Sequence, residues 1–312
     1  MTNGISLSWA ATVTRRVGGI RTVSAGAVNR QILQEEFRVR CRHYQREAAL
    51  RCVAMPPVVD GLWKTEGLAT TFGKYRMDGN TLQDASLIRE VMGIVHVGYG
   101  AATTELVHFD AERLRETFAD RCDPLYVPCA IEGIGSILRI YERRAFRKMC
   151  GLLGLIPRSA PPGPEAEGFF ARFLGAFSED EQRLITHGYG RLLAFSHFGL
   201  APALAEAQKL PEGRVAPCVQ GVAFAFAMMN SSDMGSILAE SALAGPEPVR
   251  RAFQKGLVYA LVFCEWFTPG FLEAWRPVSS LEEKLVSRAR REAGRNLRRG
   301  WLMAFQLEED PQ

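Results

Sequence analysis

The chain has 312 residues, of which 47% are hydrophobic and 23% are charged, and its formal net charge is +4. This composition is typical of a soluble globular protein with a sizeable core. Seven cysteines without CxxC spacing exclude a small disulfide scaffold, no apolar run reaches the roughly 18–20 residues of a membrane-spanning helix, and the weak net charge excludes the strongly basic field of a nucleic-acid-binding protein.

The N-terminal segment differs from the rest of the chain in its charge. Residues 1–34 carry four arginines and no acidic residue, so 34 of the 38 basic residues lie beyond it, against 34 acidic ones. Its composition resembles that of an organelle transit peptide. A disordered or loosely docked bacterial leader is the preferred interpretation.

Helical patterns dominate the sequence that follows. Apolar residues recur at intervals of three or four in long segments, and strands with alternating polarity are nearly absent. Two stretches are predicted to lie between helices because they are rich in proline, glycine and turn residues. These are residues 56–67, a turn-rich connector, and residues 156–168, a proline-rich linker near the middle of the chain.

The tripeptide Gly-Tyr-Gly occurs twice inside apolar helical segments, at residues 98–100 and 188–190. A glycine costs about 1 kcal/mol relative to alanine inside a helix, so its presence predicts a close approach of two helix backbones. We expect these crossings to lie between two repeats related by a pseudo-twofold axis. Further matches follow at offsets of 88–90 residues: His108–Phe109 with His197–Phe198, Pro128–Cys129 with Pro217–Cys218, and Glu132–Gly133 with Gln220–Gly221.

The ordered matches predict an all-α fold in which an internally duplicated helical unit packs into one globular bundle. The predicted organisation has four parts. They are a basic, acid-free leader (1–34), a first helical repeat (35–160), a second helical repeat (161–278), and a C-terminal basic amphipathic helix with a tail (279–312).

The segment PLYVPCAIEGIGSILRIY, residues 124–141, resembles a motif of a bacterial family of unknown function found with enediyne-biosynthesis genes. The resemblance extends over about residues 66–275 and includes GYGRLLAF at 188–195 and GVAFAFAMM at 221–229. The chain departs from the family pattern at Ala130–Ile131 and at residues 230–232. The resemblance implies bacterial natural-product biosynthesis in the cytoplasm and no particular chemistry.

The segment SSDMGSILAE, residues 231–240, resembles the second magnesium motif of class I terpene synthases. The oxygen ligands Asp233, Ser236 and Glu240 would bind Mg²⁺, with Asp233 and Glu240 also catalytic, in an enzyme that ionises an allylic diphosphate. The aspartate-rich partner motif of that class is missing. The preferred alternative is that Ser232 and Asp233 begin a short helix as its cap and first-turn acid.

Glu132 precedes a glycine in an apolar helical segment. A buried carboxylate there is expected to have a raised pKa, which makes Glu132 a candidate catalytic acid or base. The alternative is that it pairs with an arginine.

Six further residues are candidate ligand-binding residues because they are aromatic, histidine or methionine side chains in the two matching apolar segments. Ordinary core packing is the alternative for each, and it is the preferred interpretation for the repeat-related pairs His108 with His197 and Cys129 with Cys218. The candidate ligand-binding residues are Tyr99, His108, Tyr189, His197, Phe224 and Met228.

The C-terminal helical segment has a basic face opposite a less polar one. This face would contact a membrane surface, a diphosphate or an acidic partner, or it is a solvated surface while the other face docks on the body. The basic residues are Lys284, Arg288, Arg291, Arg295 and Arg298.

These patterns predict an accessory protein of bacterial specialised-metabolite biosynthesis, of the enediyne-like polyketide kind, that binds a hydrophobic intermediate. No cofactor and no nucleic acid are expected, and the oligomeric state is left open. The alternative is the Mg²⁺-dependent terpene-synthase-like enzyme, so the sequence leaves open whether the protein is an enzyme.

Overall fold

The computed structural model describes residues 59–74, 82, 89–142, 169–197, 199–230, 234–240 and 245–296. Within these ranges every regular element is a helix, which confirms the predicted all-α fold. The predicted leader and the proline-rich linker lie outside the described residues. The α-helices are α1 (Val59–Lys74), α2 (Arg89–Leu106), α3 (Ala111–Arg121), α4 (Val127–Glu142), α5 (Phe169–Gly175), α6 (Glu179–His197), α7 (Leu200–Ala207), α8 (Glu212–Met229), α9 (Met234–Glu240), α10 (Glu247–Phe267), α11 (Phe271–Ala274) and α12 (Ser280–Asn296), and a 3₁₀ helix spans Pro124–Tyr126.

Six long helices pack side by side in the order in which they occur in the chain, namely α1, α2, α4, α6, α8 and α10, and α12 packs against the last of them. The short helices α3 and α7 each contact the long helix before them and the long helix after them. Residues from α1 to α12 contribute to one hydrophobic core. The predicted division into two duplicated halves stays a prediction.

Glycines allow the long helices to cross at backbone contact, as the sequence predicts. A Cβ added at Gly100 would lie less than 3.0 Å from the carbonyl oxygen of Ala130 on α4, and one added at Gly188 would meet the carbonyl of Glu132 in the same way. The expectation that both Gly-Tyr-Gly segments cross between the halves is corrected. Gly98 and Gly100 contact α1 and α4, which both belong to the first predicted repeat.

The close crossings follow the same pattern along the row of long helices. In a Gly-x-Gly segment the first glycine faces the preceding long helix and the second faces the following one, since Gly133 meets α2 and Gly135 meets α6. The same holds for Gly188 and Gly190, which meet α4 and α8. Three other glycines also contact the preceding long helix, namely Gly98 on α2, Gly221 on α8 and Gly256 on α10.

Residues 59–67 do not form the predicted connector, because α1 begins at Val59 and runs through them to Lys74, and the rest of the predicted connector lies outside the described residues. Thr65, Ala69 and Gly73 repeat at every fourth position and are buried, and Ala69 and Gly73 pack against Gly98 and Ala102 of α2. Contact with α2 therefore outweighs the local turn signals of Asp60–Gly61 and Gly67. The correction matters because α1 supplies two residues of the candidate site.

The amphipathic character predicted for the C-terminal helix is present in α12. Leu285 and Ala289 are buried against the core, whereas Lys284 and Arg291 are exposed. Arg298 lies outside the described residues. The less polar face thus docks on the body, and the proposed contact of the basic face with a membrane or an acidic partner stays a prediction.

No helix in the described ranges is both long enough and apolar enough to cross a membrane.

His96 fixes the chain that leads from α3 to α4. Its Nδ1 donates to the carbonyl of Met92 at 2.7 Å, and its Nε2 accepts from the amide of Asp123 at 3.2 Å. Protonation of Nε2 would place its N–H opposite the backbone N–H of Asp123, and this hydrogen bond would be lost. Burial is the main cause that lowers the pKa of His96 from 6.5 to about 4, although the Met92 carbonyl and the charge of Asp123 act in the opposite direction.

His96 is therefore expected to make the stability depend on pH. Its pKa is lower in the folded than in the unfolded state, so its contribution is complete above pH 6.5 and is lost as the pH falls from 6.5 to about 4. The loss amounts to about 3 kcal/mol in the free energy of unfolding. Urea unfolding of the protein and of His96→Gln at a series of pH values tests this, because the amide does not titrate. Equal pH dependence in both proteins would refute the role of His96.

Candidate binding site

One face of α6 carries the polar residues of the candidate site. His187, Arg191 and Phe195 are spaced by four residues and therefore share a face of the helix. This face is turned toward α1, because the ring of Phe195 lies edge-on to Trp63 with centroids 5.3 Å apart. The contact places the side chains of α1 and α6 next to each other, although α2 and α4 lie between these helices in the packing order.

Glu132 of α4 is bound by two side chains of α6. Its Oε1 accepts from His187 Nδ1 at 3.0 Å and from Arg191 Nη1 at 3.0 Å. Arg191 also donates from Nη2 to Oε2 of Glu66 on α1 at 2.8 Å. Glu132 is 2% exposed, His187 and Arg191 are 3% exposed, and Glu66 is 16% exposed. We call these four residues the Glu132 cluster.

The two carboxyl groups of the cluster have pKa values shifted in opposite directions. Burial opposes the ionisation of Glu132, but its interactions with His187 and Arg191 outweigh it, so the pKa of Glu132 is lowered. The raised pKa expected from the sequence is therefore wrong, because the two partners from α6 are absent from the local sequence pattern. Burial is the largest influence on Glu66 and raises its pKa, which Arg191 offsets only in part.

Three buried polar atoms beside the cluster have no hydrogen-bond partner among the described residues. They are Nε2 of His187, Nε of Arg191 and the hydroxyl oxygen of Ser136. Ser136 is four residues after Glu132 on α4 and therefore shares its face. Most buried polar groups in proteins have a partner, so these atoms indicate a place where a polar group can bind.

Aromatic rings continue from the Glu132 cluster across the array. The guanidinium of Arg191 lies 5.6 Å from the ring centroid of Trp63 and 5.4 Å from that of Phe224. Phe224 in turn stacks on Tyr259 of α10 with ring centroids 5.0 Å apart, and Phe263 lies edge-on to Phe224 at the same distance. A buried polar cluster beside aromatic rings is typical of a site for a small organic ligand.

The predicted ligand-binding residues are not all brought together. Phe224 belongs to the site, and Met228, one turn farther along α8, is buried with its sulfur 3.8 Å from the sulfur of Cys264. Tyr99 is buried between α1 and α2, where it lies beside Gly73. His108 is exposed at the end of α2, in a left-handed turn with φ of 54°.

Tyr189 and His197 belong to a second polar network, centred on the buried Arg139. Arg139 donates to the hydroxyl of Tyr189 at 3.1 Å and to Glu206 at 2.8 Å. His197 pairs with the same Glu206, and Tyr189 donates to Glu142. This network links α4, α6 and α7, and its charged groups satisfy one another, which is the arrangement of a structural cross-link.

The proposed magnesium ligands are only partly described. Asp233 and the side chain of Glu240 lie outside the described residues, and Ser236 is exposed on α9. Among the described residues no group of three histidine, cysteine or acidic side chains is arranged to hold a metal ion. The magnesium site stays a prediction.

Sequence reasoning missed most of the Glu132 cluster. The local pattern places Glu66 and Trp63 in a connector and predicts no role for His187 or Arg191. One signal was present, because a histidine and an arginine four residues apart in an otherwise apolar helix must place two polar groups on one buried face. The buried Cys129 and Cys218 are core residues, as expected, and burial raises the pKa of both thiols.

Comparisons of the chain with protein-family models, with curated proteins and with solved structures found no match. A function for this site therefore has to be argued from its geometry.

Proposed function

We propose that the protein binds a small, largely apolar molecule that carries one polar group, beside the Glu132 cluster. The proposal depends above all on Nε2 of His187 and Nε of Arg191, which are buried beside aromatic rings and have no hydrogen-bond partner among the described residues. The sequence resemblance supports a place in bacterial specialised metabolism. We propose that the protein acts there as a cytoplasmic accessory factor that holds a biosynthetic intermediate.

The energetics of burial favour a binding role for the cluster over a purely structural one. Burying a charged cluster stabilises a fold poorly, because the cost of removing the charges from water offsets most of their attraction. A buried donor without a partner adds a further cost. A ligand that supplies the missing hydrogen bond recovers part of that cost on binding.

The aromatic residues favour an apolar body for the ligand. The rings of Trp63 and Phe224 both contact the guanidinium of Arg191, and Tyr259 and Phe263 extend the aromatic surface from Phe224. Aromatic side chains bury large apolar areas at little cost in conformational entropy. A conjugated or isoprenoid chain would lie against these rings, with its polar end at His187 and Arg191.

Ligand binding is expected to raise the unfolding temperature. A panel of straight-chain polyenes, fatty acyl compounds and isoprenoids is tested by thermal unfolding and by native mass spectrometry. A ligand at 100 times its Kd should stabilise the protein by about 2.7 kcal/mol. Phe224→Leu should weaken binding about tenfold, because it removes the ring beside Arg191.

Phe118→Leu is the matched control, since Phe118 is equally buried but lies on α3, and this variant should bind as the unaltered protein does. The proposal fails if no compound of the panel binds or if both variants lose affinity equally.

A further inference from the structure

We infer that the polar group of the bound molecule is an uncharged hydroxyl, and that the site selects alcohols over carboxylates and diphosphates that share the same chain. The inference rests on the proposed function and names its ligand class. It also separates that function from the terpene-synthase alternative, whose substrate is a diphosphate.

The charge of the Glu132 cluster disfavours an anion. Arg191 already contacts two carboxyl groups, Glu132 at 3.0 Å and Glu66 at 2.8 Å. A ligand carboxylate or diphosphate at Arg191 Nε would be a further negative group beside the ionised Glu132 in a site of low dielectric, where like charges repel strongly. An anion at Arg191 Nε would gain a hydrogen bond. It would not gain a free positive charge, because the guanidinium is already paired with carboxyl groups of the protein.

The two nitrogen atoms at the site match a group that both donates and accepts. Arg191 Nε carries a hydrogen and can only donate. His187 directs Nδ1 at Glu132, and because a carboxylate only accepts, the ring proton lies on Nδ1. Nε2 of the neutral ring is then an acceptor. A hydroxyl can accept from Arg191 and donate to His187.

A hydroxyl also fits the protonated ring, in which Nε2 becomes a donor, because its oxygen has two lone pairs. An aldehyde can only accept, so it leaves Nε2 of the neutral ring without a partner. A hydrocarbon leaves both nitrogen atoms without one. Sites that hydrogen-bond a hydroxyl discriminate strongly against analogues that lack it, because the buried protein groups are then unpaired.

The side chains that carry the two nitrogen atoms are held beside each other. His187 and Arg191 are four residues apart on α6, and both bind the same oxygen of Glu132. This shared oxygen fixes the two side chains relative to each other. The hydroxyl of Ser136, which is buried and has no hydrogen-bond partner in the described part of the chain, lies one turn from Glu132 and offers a further polar contact on the same side of α4.

The test compares ligands that differ only in the polar end. Farnesol, farnesal, farnesoate, farnesene and farnesyl diphosphate with Mg²⁺ are titrated into the full chain, followed by an alcohol, aldehyde, acid and hydrocarbon of one straight-chain polyene. We expect the alcohol to bind about tenfold more tightly than the other members of its series. The diphosphate incubation is also analysed for hydrocarbon products.

The variant His187→Asn separates the hydroxyl contact from the fold. Its amide nitrogen takes the place of Nδ1 and keeps the donor to Glu132, whereas Nε2 is removed. We expect the alcohol to lose about tenfold in affinity in this variant and the hydrocarbon to keep its own. Its thermal unfolding curve shows whether it folds. If it does not fold, the comparison of polar ends in the unaltered protein decides the inference.

Tighter binding or turnover of the diphosphate, tighter binding of the carboxylate, or equal binding of alcohol, aldehyde and hydrocarbon would overturn the inference and leave the binding function standing. Binding by no member of either series would overturn the proposed function itself.

Discussion

Replacement of Gly135 by alanine is expected to lower the free energy of unfolding by about 3 kcal/mol, at the upper end of the usual cost of overpacking. An added Cβ would overlap the carbonyl oxygen of Ile185 and the amide nitrogen of Tyr189 on α6. Both atoms belong to a helix backbone, which cannot move aside as a flexible side chain can. The α4–α6 crossing would have to separate, and the contacts of the Glu132 cluster lie beside it.

Gly67→Ala is the matched control, because Gly67 also lies inside a long helix but an added Cβ there would meet nothing within 4 Å. Alanine should stabilise α1 at this position by up to about 1 kcal/mol. Urea unfolding of the two variants measures both effects. If Gly135→Ala is as stable as Gly67→Ala, backbone contact is not the reason for the glycines.

The sequence predicted the helical class and the close helix crossings well, because both depend on local patterns. A glycine between apolar residues costs helix stability wherever it occurs, so its presence in 98–100 and 188–190 pointed to close approach without knowledge of the partner. The partner itself was not predictable in this way. Gly98 meets Glu66 in a segment whose aspartate, glycines and prolines indicated a turn.

The candidate site was only partly predictable, because its residues meet across long distances in the chain. Glu132 was singled out as a carboxylate in an apolar segment, but its pKa depends on two residues of α6 that lie 55 and 59 positions away. The Glu66–Arg191 pair spans 125 positions. Pairing of this kind leaves no spacing signal in a single sequence, and so the sign of the pKa shift was wrong.

Removal of the central cation of the Glu132 cluster is expected to have the largest effect of any charge substitution in the site. Arg191→Met keeps much of the length of the side chain and removes the partner of Glu66 and one partner of Glu132. Loss of one member of a buried ion pair typically costs about 3–5 kcal/mol, because the remaining charges stay buried without compensation. We expect a loss of this size in the free energy of unfolding at pH 7, measured in urea.

Arg183→Met makes the same substitution on the same helix at an exposed pair with Glu179, and it should cost less than about 1 kcal/mol.

Acid should distinguish the two variants further. Burial holds the pKa of Glu66 above 4.5 even beside Arg191, and removal of the arginine raises it further, so the folded state of Arg191→Met binds a proton at Glu66 first and its deficit shrinks as the pH falls from 7 toward 4.5. Adding Glu66→Gln and Glu132→Gln to Arg191→Met should recover much of the loss at pH 7 and abolish this pH dependence. A deficit in Arg191→Met that equals that of Arg183→Met, or that grows in acid, would show that the buried charges are not what the arginine stabilises.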